Sequence, residues 1–262
     1  MVHLSVNVNK VAVLRNSRGG NIPDVIQAAR AALDFGAHGI TVHPRPDARH
    51  ITYKDVRELA AMLRVEYATE FNVEGYPSVE FLALVCEVKP AQATLVPDPP
   101  DVLTSNQGWD LSQQEQWLRG VATLLRDHGI RVSLFVDPHQ LAIEQAKNIG
   151  ADRVELYTGP YAHAFDADAP EEVLEQHREA AHFAKSIGVG INAGHDLNTK
   201  NLPLYVKNVR GLLEVSIGHA LFADAIYLGL KRTIGLYLNA IGSKPASHGK
   251  KTSHASGKHV EK

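Results

Sequence analysis

Eight short runs rich in β-branched and other apolar residues recur along the chain, each followed by a segment of helical periodicity. This repeat limits the possible folds more than any other feature. The runs are HLSVNV at 3–8, GITVHP at 39–44, FNVEG at 71–75, QATLVP at 92–97, RVSLFV at 131–136, RVELYT at 153–158, GVGINAG at 188–194 and LEVSIG at 213–218. Apolar runs bounded by turn residues and separated by amphipathic helices read as βαβ units feeding a parallel sheet. They recur roughly every 30 residues, the size of one such unit. Eight units of one size predict a closed (β/α)₈ barrel, the TIM-barrel architecture, and a chain of 262 residues is long enough for one such domain.

Helices are expected from Pro23–Asp24 to Gly36, then over DVRELAAMLRVEY, PSVEFLALVCEVKP, LSQQEQWLRGVATLLRDHG, PHQLAIEQAKNIG, PEEVLEQHREAAHFAKSIG and NTKNLPLYVKN, with the last from His219 to about Ala240. Several close on glycine, as a left-handed C-terminal cap prefers. The DPPDVLTSNQGWD segment after the fourth run is the longest loop at a strand's C-terminal end and reads as a lid. After Gly242 the sequence becomes SKPASHGKKTSHASGKHVEK, with five Lys, three His and Val260 as its one large apolar residue. The expected organisation is a catalytic barrel over 1–242 and a disordered Lys/His/Ser-rich tail over 243–262.

A formal charge of −2 gives no reason to expect nucleic acid as a partner. Cys86 stands alone, so no intramolecular disulfide can form, and a reducing, cytoplasmic location is expected. No secretory h-region opens the chain and no apolar run reaches about 18 residues, so no membrane partner is expected.

Active sites of such barrels lie at the C-terminal rim of the strands. The rim here holds Asn7, Asn9, His43, Arg45, Glu74, Asp137, Glu155, His195 and His219. Any one could be a hydrogen-bonded structural residue. Several imidazoles, carboxylates and an arginine at one mouth together suit proton transfer near neutral pH. NAGH at 192–195 and SIGH at 216–219 end the last two strands, where barrels of this type cradle phosphate with backbone N–H groups and a helix N-terminus. In HPRPDARHI at 43–51, Arg45 and His50 suit a second phosphate, while Arg49 reads equally as a solvated charge. LRNSRGGN, with Arg15 and Arg18, reads as a basic loop that closes over a phosphate or as a plain surface turn.

In that order and at those spacings, N-V-N with LRNSRG, GITVHPRPDARHI, FNVEG, LVP with a following loop Thr, VSLFVD, VELYTGPYA, INAGHDL and SIGHAL make the chain resemble the pyridoxine 5′-phosphate synthases to about residue 240. The resemblance implies condensation of 3-amino-2-oxopropyl phosphate with 1-deoxy-D-xylulose 5-phosphate to pyridoxine 5′-phosphate, phosphate and water, with no cofactor and no metal. It implies His43 and Glu74 as proton acceptors, His195 as a donor and Glu155 near the reacting centre. Arg45 and His50 would bind the ketose phosphate, and Gly218 and His219 the amino-ketone phosphate. Asn7 would orient the amino ketone, and Arg18 and Thr104 would help close the site. An octamer is implied as well.

Two places depart from the family pattern. Asn9 and Lys10 stand where Asp-His is usual, and Asp196 stands where glycine follows NAGH. Asn9 can still bond a hydroxyl and Lys10 supplies positive charge, so the ketose site reads as rebuilt. Asp196 beside a phosphate is repulsive unless its side chain turns away to cap the next helix. Three other readings stay open on these residues: a Schiff-base aldolase using Lys10, a metal-dependent hydrolase using His43, His195, His219 and Asp137, and a phosphosugar-binding barrel of altered or lost activity.

Overall fold

A computed structural model of the chain describes residues 1–97 and 107–248. All eight expected strands form, each end within two residues of its expected place: β1 (His3–Asn7), β2 (Gly39–Val42), β3 (Glu70–Gly75), β4 (Gln92–Leu95), β5 (Arg131–Val136), β6 (Arg153–Tyr157), β7 (Gly190–Gly194) and β8 (Leu212–Ile217). Neighbours in sequence pair in parallel, and β8 closes on β1 from His3↔Glu214 to Val6↔Ile217. The helices among the described residues are α1 (Asn9–Asn16), α2 (Val25–Asp34), α3 (Tyr53–Glu66), α4 (Val79–Val88), α5 (Glu115–Asp127), α6 (Gln140–Ile149), α7 (Gly159–Asp166), α8 (Glu171–Ser186), α9 (Leu202–Asn208), α10 (His219–Leu228) and α11 (Leu230–Ala240).

The period-2 alternation of each strand divides its residues between two environments. Outward positions such as Leu4, Val6, Ile40, Val73, Leu134 and Val154 are fully buried, with Leu33, Leu59, Leu84, Leu118 and Ile143 of the helices in the same core cluster. Inward positions are polar, where barrels more commonly stack branched apolar side chains. Most meet partners across the interior, the Ser133 hydroxyl excepted: Ser5 and Thr41 hydroxyls lie 2.7 Å apart, Thr94 donates to Asn72 at 2.9 Å, Arg153 to Asn192 at 3.2 Å and Asn192 to Gln92 at 3.4 Å. That pairing offsets the cost of burying them.

Three helical features differ from the expected pattern. NKVAVLRN forms α1, burying Val11, Ala12 and Arg15, so the expected loop after β1 begins only at Ser17. Arg15 is therefore no phosphate clamp. Its guanidinium holds Asp55 of α3 at 2.5 and 2.9 Å and donates to the His50 carbonyl at 3.3 Å. GPYAHAFD forms α7, with proline in its first turn and the Tyr161 hydroxyl donating to the Asn201 carbonyl at 2.8 Å. The final helix divides into α10 and α11 at Gly229, whose φ of 77° no right-handed helix accommodates.

Of the segment expected as tail, residues 243–248 run back across the N-terminal face of the barrel. Ser243 donates to the Val2 carbonyl, the Ala246 N–H to Gly36 O at 3.0 Å, and the His248 ring lies 2.7 Å from Ala37 O. Gly36 is required there, since a Cβ would lie 2.6 Å from Pro245. Residues 249–262 lie outside the described residues.

Candidate active site

The ends of all eight strands or the residues just after them, together with the first turns of α1 and α10, line a cleft of about 710 Å³ at the C-terminal rim. A chain of hydrogen bonds sets its floor. The Asn9 N–H donates to Asn7 Oδ1 at 3.0 Å, and Asn9 Oδ1 accepts the His43 N–H at 2.9 Å. Asn7 Nδ2 in turn donates to Glu74 Oε2 at 3.5 Å, which lies 4.0 Å from His43 Nδ1. Asn9 thus fixes the backbone that carries His43, a task its side-chain carbonyl performs without a charge. Burial, and then the positive charges of Arg45 and Arg49, holds the His43 imidazole well below its ordinary pKa. It is neutral at pH 7 and competent as a base.

One flank of the cleft is cationic. Arg45 is buried at 5% exposure, Lys10 is exposed on the first turn of α1, and Arg49 pairs with Asp47 at 2.5 Å while also lining the cleft. His50 Nδ1 accepts the Ile51 N–H at 2.9 Å, which puts the neutral ring's proton on Nε2 as a donor. Burial, with Arg45, Lys10 and Arg49, lowers the His50 pKa to about 4. Asn16 Nδ2 holds the Ala48 and His50 carbonyls at 3.2 and 2.9 Å, and Arg15 supports the latter, so α1 shapes this flank.

A second flank is built from the ends of β7 and β8, next to β1 in the closed barrel. Gly218 precedes α10, and Gly218, His219 and Ala220 at that helix N-terminus line the cleft, the kind of place where backbone N–H groups hold anions. A Cβ on Gly218 would sit 3.0 Å from Asn7 O, so the close approach of β8 to β1 calls for glycine. After β7, His195 and Asp196 both have left-handed φ, 94° and 55°, which side chains other than glycine rarely adopt. The Thr158 hydroxyl holds this turn, lying 2.6 Å from Gly194 O and 2.5 Å from His195 O. The His195 ring packs edge-on to Tyr157 at 5.4 Å and lies 6.4 Å from Phe135. Burial pushes the neighbouring Glu155 carboxyl up to about 8, with Glu214 adding to the effect.

Asn7, Asn9, Lys10, His43, Arg45, His50, Glu74, Glu155, His195, Asp196, Gly218 and His219 all line this one cleft. Arg18 does not; it is exposed in the turn after α1. Thr104 lies outside the described residues, as do residues 98–106 of the expected lid, while its far end is pinned where Trp109 donates to Leu95 O at 2.8 Å and Gly108 N–H to Asp137 at 3.3 Å. Asp137 anchors that loop rather than facing the cleft. Asp196 does not cap α9: Asn201 occupies the cap position, and its amide donates to the Asp196 carbonyl at 3.1 Å. Val13, Phe135 and Ser216 line the cleft without having been singled out in the sequence. Phe135 and Ser216 were findable from strand parity, since each lies two positions beyond an inward polar residue.

A family model described as pyridoxal phosphate biosynthesis protein PdxJ matches residues 4–243. The chain belongs to the PdxJ family. Among its relatives, the pyridoxine 5′-phosphate synthase of Bacteroides fragilis is 54% identical over 241 residues, covering 92% of this chain and 100% of that protein. That of Parabacteroides distasonis is 51% identical over 243 residues, covering 93% and 100%. Of solved structures, thiamine phosphate pyrophosphorylase from Pyrococcus furiosus matches with a TM-score of 0.60 at 15% identity over 92% of this chain and 96% of that one. N-(5′-phosphoribosyl)anthranilate isomerase from the same organism gives 0.59 at 12% over 92% and 99%. At such identity the likeness concerns the barrel alone.

Against the PdxJ pattern, the φ of 55° at Asp196 shows why glycine suits the position after NAGH. Asp196→Gly removes both a strained side chain and a carboxylate from the cleft that the first turn of α10 also lines, where a substrate phosphate is expected. The expected result is a several-fold lower KM for the substrate phosphate bound there, corresponding to about 1 kcal/mol of relieved repulsion across partly solvated space. Initial-rate kinetics with each substrate varied in turn would show it.

Proposed function

We propose that this protein is a pyridoxine 5′-phosphate synthase, joining 3-amino-2-oxopropyl phosphate to 1-deoxy-D-xylulose 5-phosphate and closing the pyridine ring by acid–base catalysis. The observation that carries the reading is that His43, Glu74, Glu155 and His195 meet in one cleft whose two flanks are both built for anions. The relatives' name agrees with it. Two phosphates held on separate flanks of one cleft bring the amine of one substrate to the ketone of the other, which turns a bimolecular condensation into an intramolecular one. Neutral His43 and the Glu74 carboxylate take protons as enol forms arise, and His195 returns protons to departing oxygen. Asn7, between Glu74 and the end of β8, orients the amino ketone, and Asn9 and Lys10 border the ketose. Arg18 and Thr104 complete this reading as residues that act on closure.

Lys10 is exposed at the first turn of α1 and lacks the apolar enclosure that makes a lysine a nucleophile, which disfavours the Schiff-base reading. Among the described residues no three His, Cys, Asp or Glu side chains converge as a metal ligand set, so a metal-dependent hydrolase lacks its centre. No helix among the described residues is long and apolar enough to cross a membrane, in keeping with a cytoplasmic enzyme. The octamer belongs to the same proposal. Ile226 and Tyr227 on α10 are 78% and 88% exposed and Leu14 on α1 is 60% exposed, apolar area of the kind that subunit contacts cover.

Mixing the purified protein with both substrates tests the reading: the pyridine chromophore appears at a rate proportional to enzyme. Binding of both phosphates without chromophore would instead identify a phosphosugar-binding barrel. Arg45→Ala should weaken the ketose phosphate by about ten- to a hundredfold, the worth of a charge-assisted hydrogen bond. Affinity for the amino-ketone phosphate should change little, and calorimetric titration of each ligand separates the two.

A further inference from the structure

Glu214 is a buried acid that the reaction above leaves without a task. On β8 it is in register with Asn192 of β7, and Asn192 is in register with Glu155 of β6, so all three share the inward parity of the barrel. Glu214 is 3% exposed and Glu155 6%. Two strand spacings separate their α-carbons, roughly 10 Å, and the charge of Glu214 acts on Glu155 across that gap. Gly194 makes room for the upper carboxyl, since a Cβ there would lie 2.6 Å from Glu155 Oε1.

The charges around the two acids are unequal. Arg153 from β6 and Arg131 from β5 act on Glu214 in favour of its ionised form, Glu70 of β3 opposes them, and His3 is its register partner on β1. Arg131 is already bonded to Glu70 at 2.5 Å and Arg153 to Asn192 at 3.2 Å, which fixes both guanidinium groups below the cleft. Glu155, at cleft level, has Glu214 as the charge that acts on it. A single negative charge shared by the two is therefore best placed on Glu214, beside the arginines. Burial raises both carboxyls well above the ordinary carboxylate range, and the Glu214 charge adds to the effect on Glu155.

We propose that Glu155 and Glu214 form a carboxyl pair that holds one proton in the working enzyme, with the charge on Glu214 and the proton on Glu155, making Glu214 a positioning residue that arms Glu155 as an acid. This rests on the condensation read above and adds a source of protons to it. In a dehydration step, His43 or Glu74 takes a proton from carbon and the freed electron pair forms the C=C bond. The C–O bond breaks with its electrons on oxygen, and the Glu155 proton joins that oxygen to leave as water. Glu155 remains as carboxylate and regains a proton from solvent before the next turnover.

The test uses Glu214→Gln, which keeps the shape and removes the charge. The alkaline limb of kcat/KM is expected to move down by about one pH unit or more, with KM at neutral pH little changed. Infrared difference spectra of the substrate-free protein, with the Glu155 band identified by its loss in Glu155→Gln, read the proton directly. Glu155 should be protonated at pH 7 in the parent protein and ionise at lower pH in Glu214→Gln. An ionised Glu155 at pH 7 in the parent, or a titration unmoved by Glu214→Gln, overturns the pair. The spectra need no turnover, so the pair and the synthase reading fail separately, and the parent's titration alone decides if the variant does not fold.

Discussion

Glu74→Gln should leave the barrel folded and lower kcat by about 10²- to 10⁴-fold, the usual contribution of a positioned proton acceptor. Glu74 is an inward residue of β3, 9% exposed, with Oε2 3.5 Å from the Asn7 amide and 4.0 Å from His43 Nδ1. The amide of glutamine has the same outline and can still present an oxygen to Asn7, so packing and substrate position are kept. It cannot take a proton from carbon. The loss should therefore fall on kcat with KM nearly unchanged, and the thermal midpoint should stay within a few degrees of the parent's. Near-normal kcat would remove Glu74 from the proton-transfer chain, and a collapsed thermal midpoint would show its role to be structural.

The largest stability effect is expected at Asp55, 19 positions before Glu74 and on a helix rather than at the rim. Asp55→Ala should cost about 3–5 kcal/mol, because it leaves the Arg15 guanidinium, 9% exposed, as an uncompensated buried charge. The same carboxylate accepts the Thr52 N–H at 2.7 Å and the Thr52 hydroxyl at 2.8 Å, closing a capping box at the start of α3. Burial alone would raise its pKa, but the Arg15 and Thr52 hydrogen bonds outweigh that and hold it below the ordinary range. A depressed carboxyl stabilises the fold above its unfolded value of roughly 4 and loses that contribution as pH falls through the folded value. Denaturant unfolding of parent and variant at neutral pH and near pH 3 should show the gap between them shrink in acid. Since Arg15 also supports the His50 carbonyl, the variant should bind the ketose phosphate more weakly as well.

The strands were legible because each combines an apolar outward face with a turn-bounded length, and the cleft residues because they end strands. Arg15 was misread for a physical reason. Its partner lies forty residues away on α3, and no local pattern reports a contact at that separation. The helix carrying it is only eight residues long, so one buried stripe of Val11, Ala12 and Arg15 was all the sequence offered. Glu214 stayed hidden because LEVSIG reads as an ordinary strand until closure of the barrel reveals which parity faces inward. The Asp196 departure was visible in the sequence, but its meaning was not, since a left-handed φ is a property of the turn that Thr158 holds. Residues 243–248 show the limit of composition: the Ala246 N–H bonded to Gly36 O and the His248 ring against Ala37 O tie down a stretch whose composition reads as solvated.

That last contact sets a direction for any use of the molecule. Because His248 rests against Ala37 at the foot of β2, the last described residue sits at the pole opposite the substrate mouth. An affinity handle, a resin linkage or a fused carrier at that pole would leave diffusion of both phosphorylated reactants unobstructed. The same attachment at the loop after α1 would crowd the doorway.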